Sequence, residues 1–298
     1  MTQEIVIEFD KSNDQNDLSK VESIISPIFS GKDKKKKQFR EKIKILLLDA
    51  MKNTGTNSFK RNAFWFFVNK TITSGLKKGE PLIKVEGSLR NFIRKRVDRE
   101  KDIKSQEFKF AKKRFENIKN YIVGNKILDL GAGNGLLALE IKKGLEKEVL
   151  LVDVVDYNYT DLPIIIYNPK DALPIANEEV DTTILYNVLH HANNPEYLLQ
   201  EATRVTKRRL VIKESYIEEE NIMITNSFVD WFYNRVIGDE DINVPLNFLK
   251  IKAWKSLLKS YGYTVIETKY VGIDEPAVPE HHVFIIAERS NFVYSNYH

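Results

Sequence analysis

The run Asp129-Leu130-Gly131-Ala132-Gly133-Asn134-Gly135 stands where a strand-like segment, 126–130, gives way to a helix-like one, 135–145. Glycines at this spacing permit left-handed backbone and let a ligand approach the main chain closely. The helix beyond offers unpaired N–H groups in its first turn. A dinucleotide-binding turn would carry a further glycine at position 136, where this chain has Leu136. Asp129, two residues before the first glycine, is the other departure. A pyrophosphate gains nothing from that carboxylate, whereas a cationic amino-acid group does.

Further polar residues fall at successive strand ends. Asp153 closes the second strand, where a carboxylate can accept both ribose hydroxyls of an adenosine. Asp171 and Ala172 follow the third, where a side chain and a backbone amide can read adenine edges. The fourth strand runs into Asn187-Val188-Leu189-His190-His191. Each alone is a surface acid or a loop histidine; the order of all four argues against coincidence.

The elements that must position these residues alternate from Asn125 onward. Strands are predicted at 126–130, 148–153, 163–168, 180–189, 209–215, 263–271 and 281–288, with helices at 135–145, 195–206 and 251–261. Strands separated by helices imply a mostly parallel sheet covered on both faces. The last two strands, joined by a loop alone, form an antiparallel edge hairpin. Upstream, helical spacing of apolar residues at 38–52, the aromatics Phe64 to Phe67, and basic helices within 88–122 suggest a mainly helical region. Residues 1–30 read as a polar, acidic lead. The expected division is a basic accessory region, 1–104, and an α/β domain, 105–298.

Charge divides the chain in the same way. Between Gly31 and Asn120 there are 27 Lys and Arg against 10 Asp and Glu, leaving 19 against 32 elsewhere. A region so basic is expected to meet something acidic: nucleic acid, an anionic lipid surface, an acidic protein or its own acidic remainder. The run Lys34 to Lys37 is its densest point and reads most simply as a solvated face. The absence of cysteine excludes disulfides, thiolate metal sites and a cysteine nucleophile. No apolar run reaches the roughly 20 residues of a membrane span, and the N-terminus lacks the form of a secretory signal. A cytoplasmic protein is expected.

At the glycine turn, the strand-end acids and the Leu-His-His element, the chain resembles the class I, Rossmann-like S-adenosylmethionine-dependent methyltransferases, in particular a small-molecule group. The resemblance covers about 107 to 290. It implies that Asp129, Gly131, Ala132 and Gly133 hold the methionine part of S-adenosylmethionine and that Asp153 holds the ribose. It further implies that Asp171 and Ala172 contact adenine and that Asn187 borders the sulfonium side. Methyl transfer to an alcohol, phenol or amine also needs a group to remove a proton. Candidates are His190, His191, His281, His282, Glu214 and Tyr186, with His191 preferred because it follows a strand end facing the cofactor. His282 is expected either at the site or in the core.

The acceptor is not specified by these motifs. The long connection 216–249 resembles a family segment and reads as a lid over the acceptor, with Trp231, Tyr233, Asn234 and Arg235 as contacts. Its plainer reading is a folded element closed by an Asp230–Arg235 ion pair. No metal is expected: carboxylates do not cluster in the sequence, and adjacent His281 and His282 would face opposite sides of a strand. The favoured partner is a small-molecule acceptor, with a homodimer allowed. The alternative is an RNA, protein or lipid-surface substrate docked by the basic region, and the remotest reading is a non-catalytic binding protein.

Overall fold

The computed structural model describes residues 18–54, 56–95, 99–238, 242–275 and 279–294. Helices α1 (Ser19–Ser30), α2 (Lys34–Ala50), α3 (Ser58–Lys77), α4 (Leu82–Arg94) and α5 (Arg99–Ile118) come first. The alternating part follows: β1 (Lys126–Leu130), α6 (Leu136–Leu145), β2 (Glu148–Asp153), β3 (Ile164–Ile166), β4 (Val180–Tyr186), α7 (Pro195–Val205) and β5 (Thr206–Ser215). The chain ends with α8 (Glu220–Trp231), α9 (Ile251–Ser260), β6 (Tyr263–Gly272), β7 (His282–Arg289) and α10 (Ser290–Tyr294). Of the acidic lead expected over 1–30, residues 1–17 lie outside the described residues, and the remainder is largely α1. Among the described residues no helix is long and apolar enough to cross a membrane.

The seven strands form one Rossmann-like sheet in the order β3-β2-β1-β4-β5-β7-β6. Neighbouring pairs from β3 through β5 are parallel, while β7 runs antiparallel to both β5 and β6. The expected hairpin is therefore present, with β7 inserted beside β5 and β6 at the edge. The strand order reverses between β1 and β4, and in open sheets ligands bind outside the carboxyl ends of strands at that point. One sheet face packs Leu128, Leu130 and Ile212 against α7 and α9. The other packs Ile127, Ile184, Val211 and Ile286 against Phe115 and Ile118 of α5 and Ile141 of α6.

A second core joins the N-terminal helices to the 216–249 segment. Val21, Phe29, Ile43, Ile72 and Leu89 pack with Phe228, Trp231, Phe232, Leu246 and Phe248. The run from Ile224 to Phe232 is buried throughout, as befits a helix surrounded on all sides. Each large apolar side chain so placed contributes roughly 1.5–3 kcal/mol. The expected boundary at 104/105 thus falls inside α5, a helix that packs on the sheet. The segment expected as a lid, 216–249, packs with the N-terminal helices through α8 and the 232–248 stretch. Of the aromatic group, Phe64, Trp65 and Phe67 pack on this core and Phe66 is exposed.

Buried charge ties α4 to the 216–249 segment. Glu86, wholly buried on α4, accepts from Trp231 Nε1 at 2.9 Å and from Arg235 Nε and Nη2 at 2.9 and 3.0 Å. Arg90 also bonds Glu86 and donates to the Arg235 carbonyl at 3.0 Å. This corrects the Asp230–Arg235 ion pair expected from the sequence: Arg235 faces Glu86, and Asp230 faces the histidines.

Candidate functional site

The glycine turn leaves β1 and starts α6, with Gly131, Gly133 and Gly135 all at positive φ. At Gly131 a Cβ would stand 2.3 Å from Val188, so the turn lies against the exit of β4. At Gly133 nothing stands within 4 Å of that position, which leaves its backbone open to a ligand. The Gly133 N–H donates to Asp153 Oδ2 at 2.7 Å, and Val154 N–H to Oδ1 at 2.7 Å. Each oxygen keeps further accepting capacity.

Asp129 is buried beneath this turn, and its Oδ2 has no hydrogen-bond partner. Burial, reinforced by Asp153 and opposed by Arg114, pushes its carboxyl up to about 7. A cationic ligand group would restore the ionised form. Asn187 has a φ of 55°, a conformation asparagine tolerates better than most residues. Its N–H donates to the Lys213 carbonyl at 2.8 Å, Nδ2 lies 3.4 Å from His282 Nε2, and Oδ1 is buried without a partner. Asp171 and Ala172 are exposed beyond β3, where Asp171 N–H closes a turn on Asn168 O at 2.9 Å.

The histidine pair occupies a 3-10 turn, Leu189–His191, directly after β4. Glu214 on β5 holds this turn: Oε1 accepts from Val188 and Leu189 N–H at 2.9 and 2.7 Å, and Oε2 bonds His190 Nδ1 at 2.5 Å. His190 is 2% exposed and stacks on Phe248. Although burial opposes it, the Glu214 charge and hydrogen bond push its imidazole up to about 9. His191 keeps 25% of its side chain exposed and donates through Nδ1 to the Asn243 carbonyl at 2.9 Å. Burial, then the neighbouring His190, pushes it down to about 4. Asp230 of α8 completes the centre, with Oδ1 3.6 Å from His191 Nε2 and 3.9 Å from His190 Nε2. Burial, partly offset by His190, pushes its carboxyl up to about 8.

The other expected site residues separate into two sets. Trp231 and Arg235 are buried against Glu86 in the helical core. Tyr233 and Asn234 are half-buried, and Asn234 Nδ2 donates to Asp230 Oδ1 at 2.6 Å. They lie in a π-helical segment, Phe232–Gly238, a form frequent at functional sites. His282 is fully buried, held by Asp274 Oδ1 at 2.7 Å and facing Glu280 Oε2 at 3.7 Å. His281 lies at the junction of β5, β7 and α8, where its N–H donates to Asn226 Oδ1 at 3.0 Å.

A buried ion cluster beside Tyr186 was not foreseen. Glu275 accepts from Lys213 Nζ at 2.7 Å, Arg114 Nη2 at 2.6 Å and Tyr186 Oη at 3.1 Å. Though burial opposes them, the two cations hold Glu275 well below the usual carboxylate range. Burial and Glu275 push the Tyr186 phenol far above its ordinary value. The available signal was Lys213, a lysine directly after the apolar run Leu210-Val211-Ile212 of β5. Arg114 was indistinguishable from its basic neighbours on α5.

Residues 128–211, from β1 into β5, match the family described as "Methyltransferase domain". The matched stretch contains the glycine turn, Asp153, Asp171, Asn187 and the histidine pair. A protein of Methanocaldococcus jannaschii is 28% identical over 160 residues, covering 52% of this chain and 73% of that one. A SAM-dependent methyltransferase from Archaeoglobus fulgidus is similar with a TM-score of 0.45 at 16% identity, over 61% of this chain and 94% of the other. Another from Methanosarcina mazei gives 0.45 at 16% identity, over 58% and 96%.

Proposed function

We propose that this chain transfers a methyl group from S-adenosylmethionine to a small-molecule acceptor. The observation that carries the reading is a pair of buried, unpartnered oxygens, Asp129 Oδ2 and Asn187 Oδ1, beside an open glycine turn at the switch point of the sheet. A carboxylate poised for a cation and an amide with free accepting capacity fit the ammonium and sulfonium side of that cofactor.

Bound there, the cofactor supplies an electrophilic methyl group. Asp129 would pair with its ammonium group, Asp153 would accept from the ribose hydroxyls, and Asp171 with the Ala172 N–H would meet adenine. Asn187 would border the methionine end. On the acceptor side, the Asn243 carbonyl fixes His191 with its Nε2 lone pair directed away from that bond, available to orient an acceptor or take its proton. His190 is committed to Glu214. Tyr233 and Asn234 are the segment's contacts with an acceptor; Trp231 and Arg235 act through the fold. Burial of His190 and Asp230 under the helical half favours a small acceptor over a polymer.

Calorimetry on the full chain tests the cofactor assignment. S-adenosylhomocysteine binds and NAD does not. Asp153→Ala loses hydrogen bonds to a charged group worth about 1.5–3 kcal/mol each, at least roughly tenfold in affinity. Undiminished binding in that variant would remove Asp153 from the site.

A further inference from the structure

We propose that His190, His191 and Asp230 form a binding site for one divalent transition-metal ion, of which zinc best fits the donor set. The inference rests on the methyltransferase reading only for the ion's use, which is to hold a heteroatom of the acceptor; the site itself stands on geometry. One ligand atom from each of the three residues lies within 4.8 Å of the other two. Around a zinc ion with bonds of about 2.0–2.2 Å, tetrahedral donors stand roughly 3.4 Å apart. The 3.6 and 3.9 Å separations from Asp230 Oδ1 to the two Nε2 atoms need only slight closure.

Three further observations point the same way. Each histidine uses Nδ1 elsewhere, His190 on the Glu214 carboxylate and His191 on the Asn243 carbonyl, which directs both Nε2 atoms to the centre. Metal-binding histidines almost always have such a partner on the other ring nitrogen. Asp230 is wholly buried, Asn234 steadies its Oδ1, and its Oδ2 has no hydrogen-bond partner. The rings of His190 and His191 are also side by side, with centroids 4.2 Å apart. The 3-10 turn thus gives adjacent histidines a shared direction that adjacent positions on a strand cannot have.

Two nitrogens and one carboxylate leave at least one coordination position open, as catalytic sites do. The half-exposed flank of His191 is the approach to it. With the ion bound, His191 Nε2 is a ligand rather than a base, and an acceptor hydroxyl, thiol or amine, or a water molecule, would bind at the open position. The sequence conceals this site because Asp230 stands 39 positions beyond His191 and looks like part of a lid.

The test uses the full chain stripped with a chelator, then titrated with Zn2+ by calorimetry and with Co2+ by visible spectroscopy. One ion per chain is expected, with cobalt bands of low coordination number. His191→Ala and Asp230→Asn should each weaken binding at least tenfold, and Glu214→Gln by 10–100-fold through His190. Circular dichroism and cooperative urea unfolding establish that each variant is folded. Absence of stoichiometric binding, or binding unchanged in folded His191→Ala, overturns the proposal. Metal bound with the expected variant pattern but no S-adenosylhomocysteine bound would uphold this site and sink the cofactor reading. Cofactor without metal would do the reverse.

Discussion

At the glycine turn the polar groups come from residues 129–135 and the next strand end, Asp153. At the histidine centre they come from the β4 exit, β5, α8 and the 243–248 stretch, segments spread over almost sixty residues. The first end is largely backbone, fixed by local φ angles. The second is side chain against side chain, and exists only when α8 is seated between the N-terminal helices and the sheet. A local cradle can outlast damage to distant packing; an assembled centre cannot.

Removing the tie between α4 and the 216–249 segment should produce the largest effect. Glu86→Gln leaves Arg235 and Arg90 buried without their shared counter-charge. Breaking a buried pair in this way costs about 3–5 kcal/mol, read as a lower midpoint in urea unfolding. Acceptor-side properties should suffer with it, whereas S-adenosylhomocysteine affinity in the folded fraction should fall much less. Equal loss at both ends would show that the cradle depends on the helical half after all.

The contrast also explains what could be read from the chain. The strands were legible because apolar runs and glycine punctuation are local signals. The glycine turn expected to hold the cofactor is likewise a local signal, confined to residues 129–135. The role of 216–249 was only half legible. Its aromatics signalled a folded element, but Trp231 and Arg235 find their partner in Glu86, some 145 positions earlier, and no local pattern announces that. The same holds for Asp230 and for the Arg114–Glu275–Lys213 cluster. The segment between α3 and α5 read as basic and accessory because its one decisive acid, Glu86, is a single residue among several lysines and arginines.

A smaller effect, opposite in sign, is expected at the cradle. The raised Asp129 pKa means that the folded protein binds a proton there more tightly than the unfolded chain does, from about pH 4 to about 7. Stability from this group is present at the acid end of that window and is lost as pH rises through it. Asp129→Asn should therefore stabilise the ligand-free protein at neutral pH, by on the order of 1–3 kcal/mol. It should also flatten the pH dependence over that window and abolish S-adenosylhomocysteine binding. A variant less stable at pH 7 than the parent would mean that Asp129 is already satisfied without a ligand.

The smallest effect is expected from the lysines that dominate the charge count. Lys34 to Lys37 occupy the first turn of α2, capped by Asp33, whose side chain accepts from Lys36 N–H at 2.9 Å. Lys35 reaches Glu220 of α8 at 2.6 Å, but both side chains are more than half exposed. Exposed pairs contribute only about 0–1 kcal/mol, and cations at a helix N-terminus oppose the helix dipole. Lys35→Ala should accordingly shift the unfolding free energy by less than about 1 kcal/mol. The helices carrying this charge are held by their apolar faces against α8, so their docking on α8 does not need it. If the run served a polyanion instead, a titration with RNA would show a complex whose affinity falls steeply with salt. We expect no tight complex at near-physiological salt, and no difference between the parent and a variant with all four lysines replaced by glutamine. A specific, salt-sensitive complex lost in that variant would move the substrate from a small molecule to a nucleic acid.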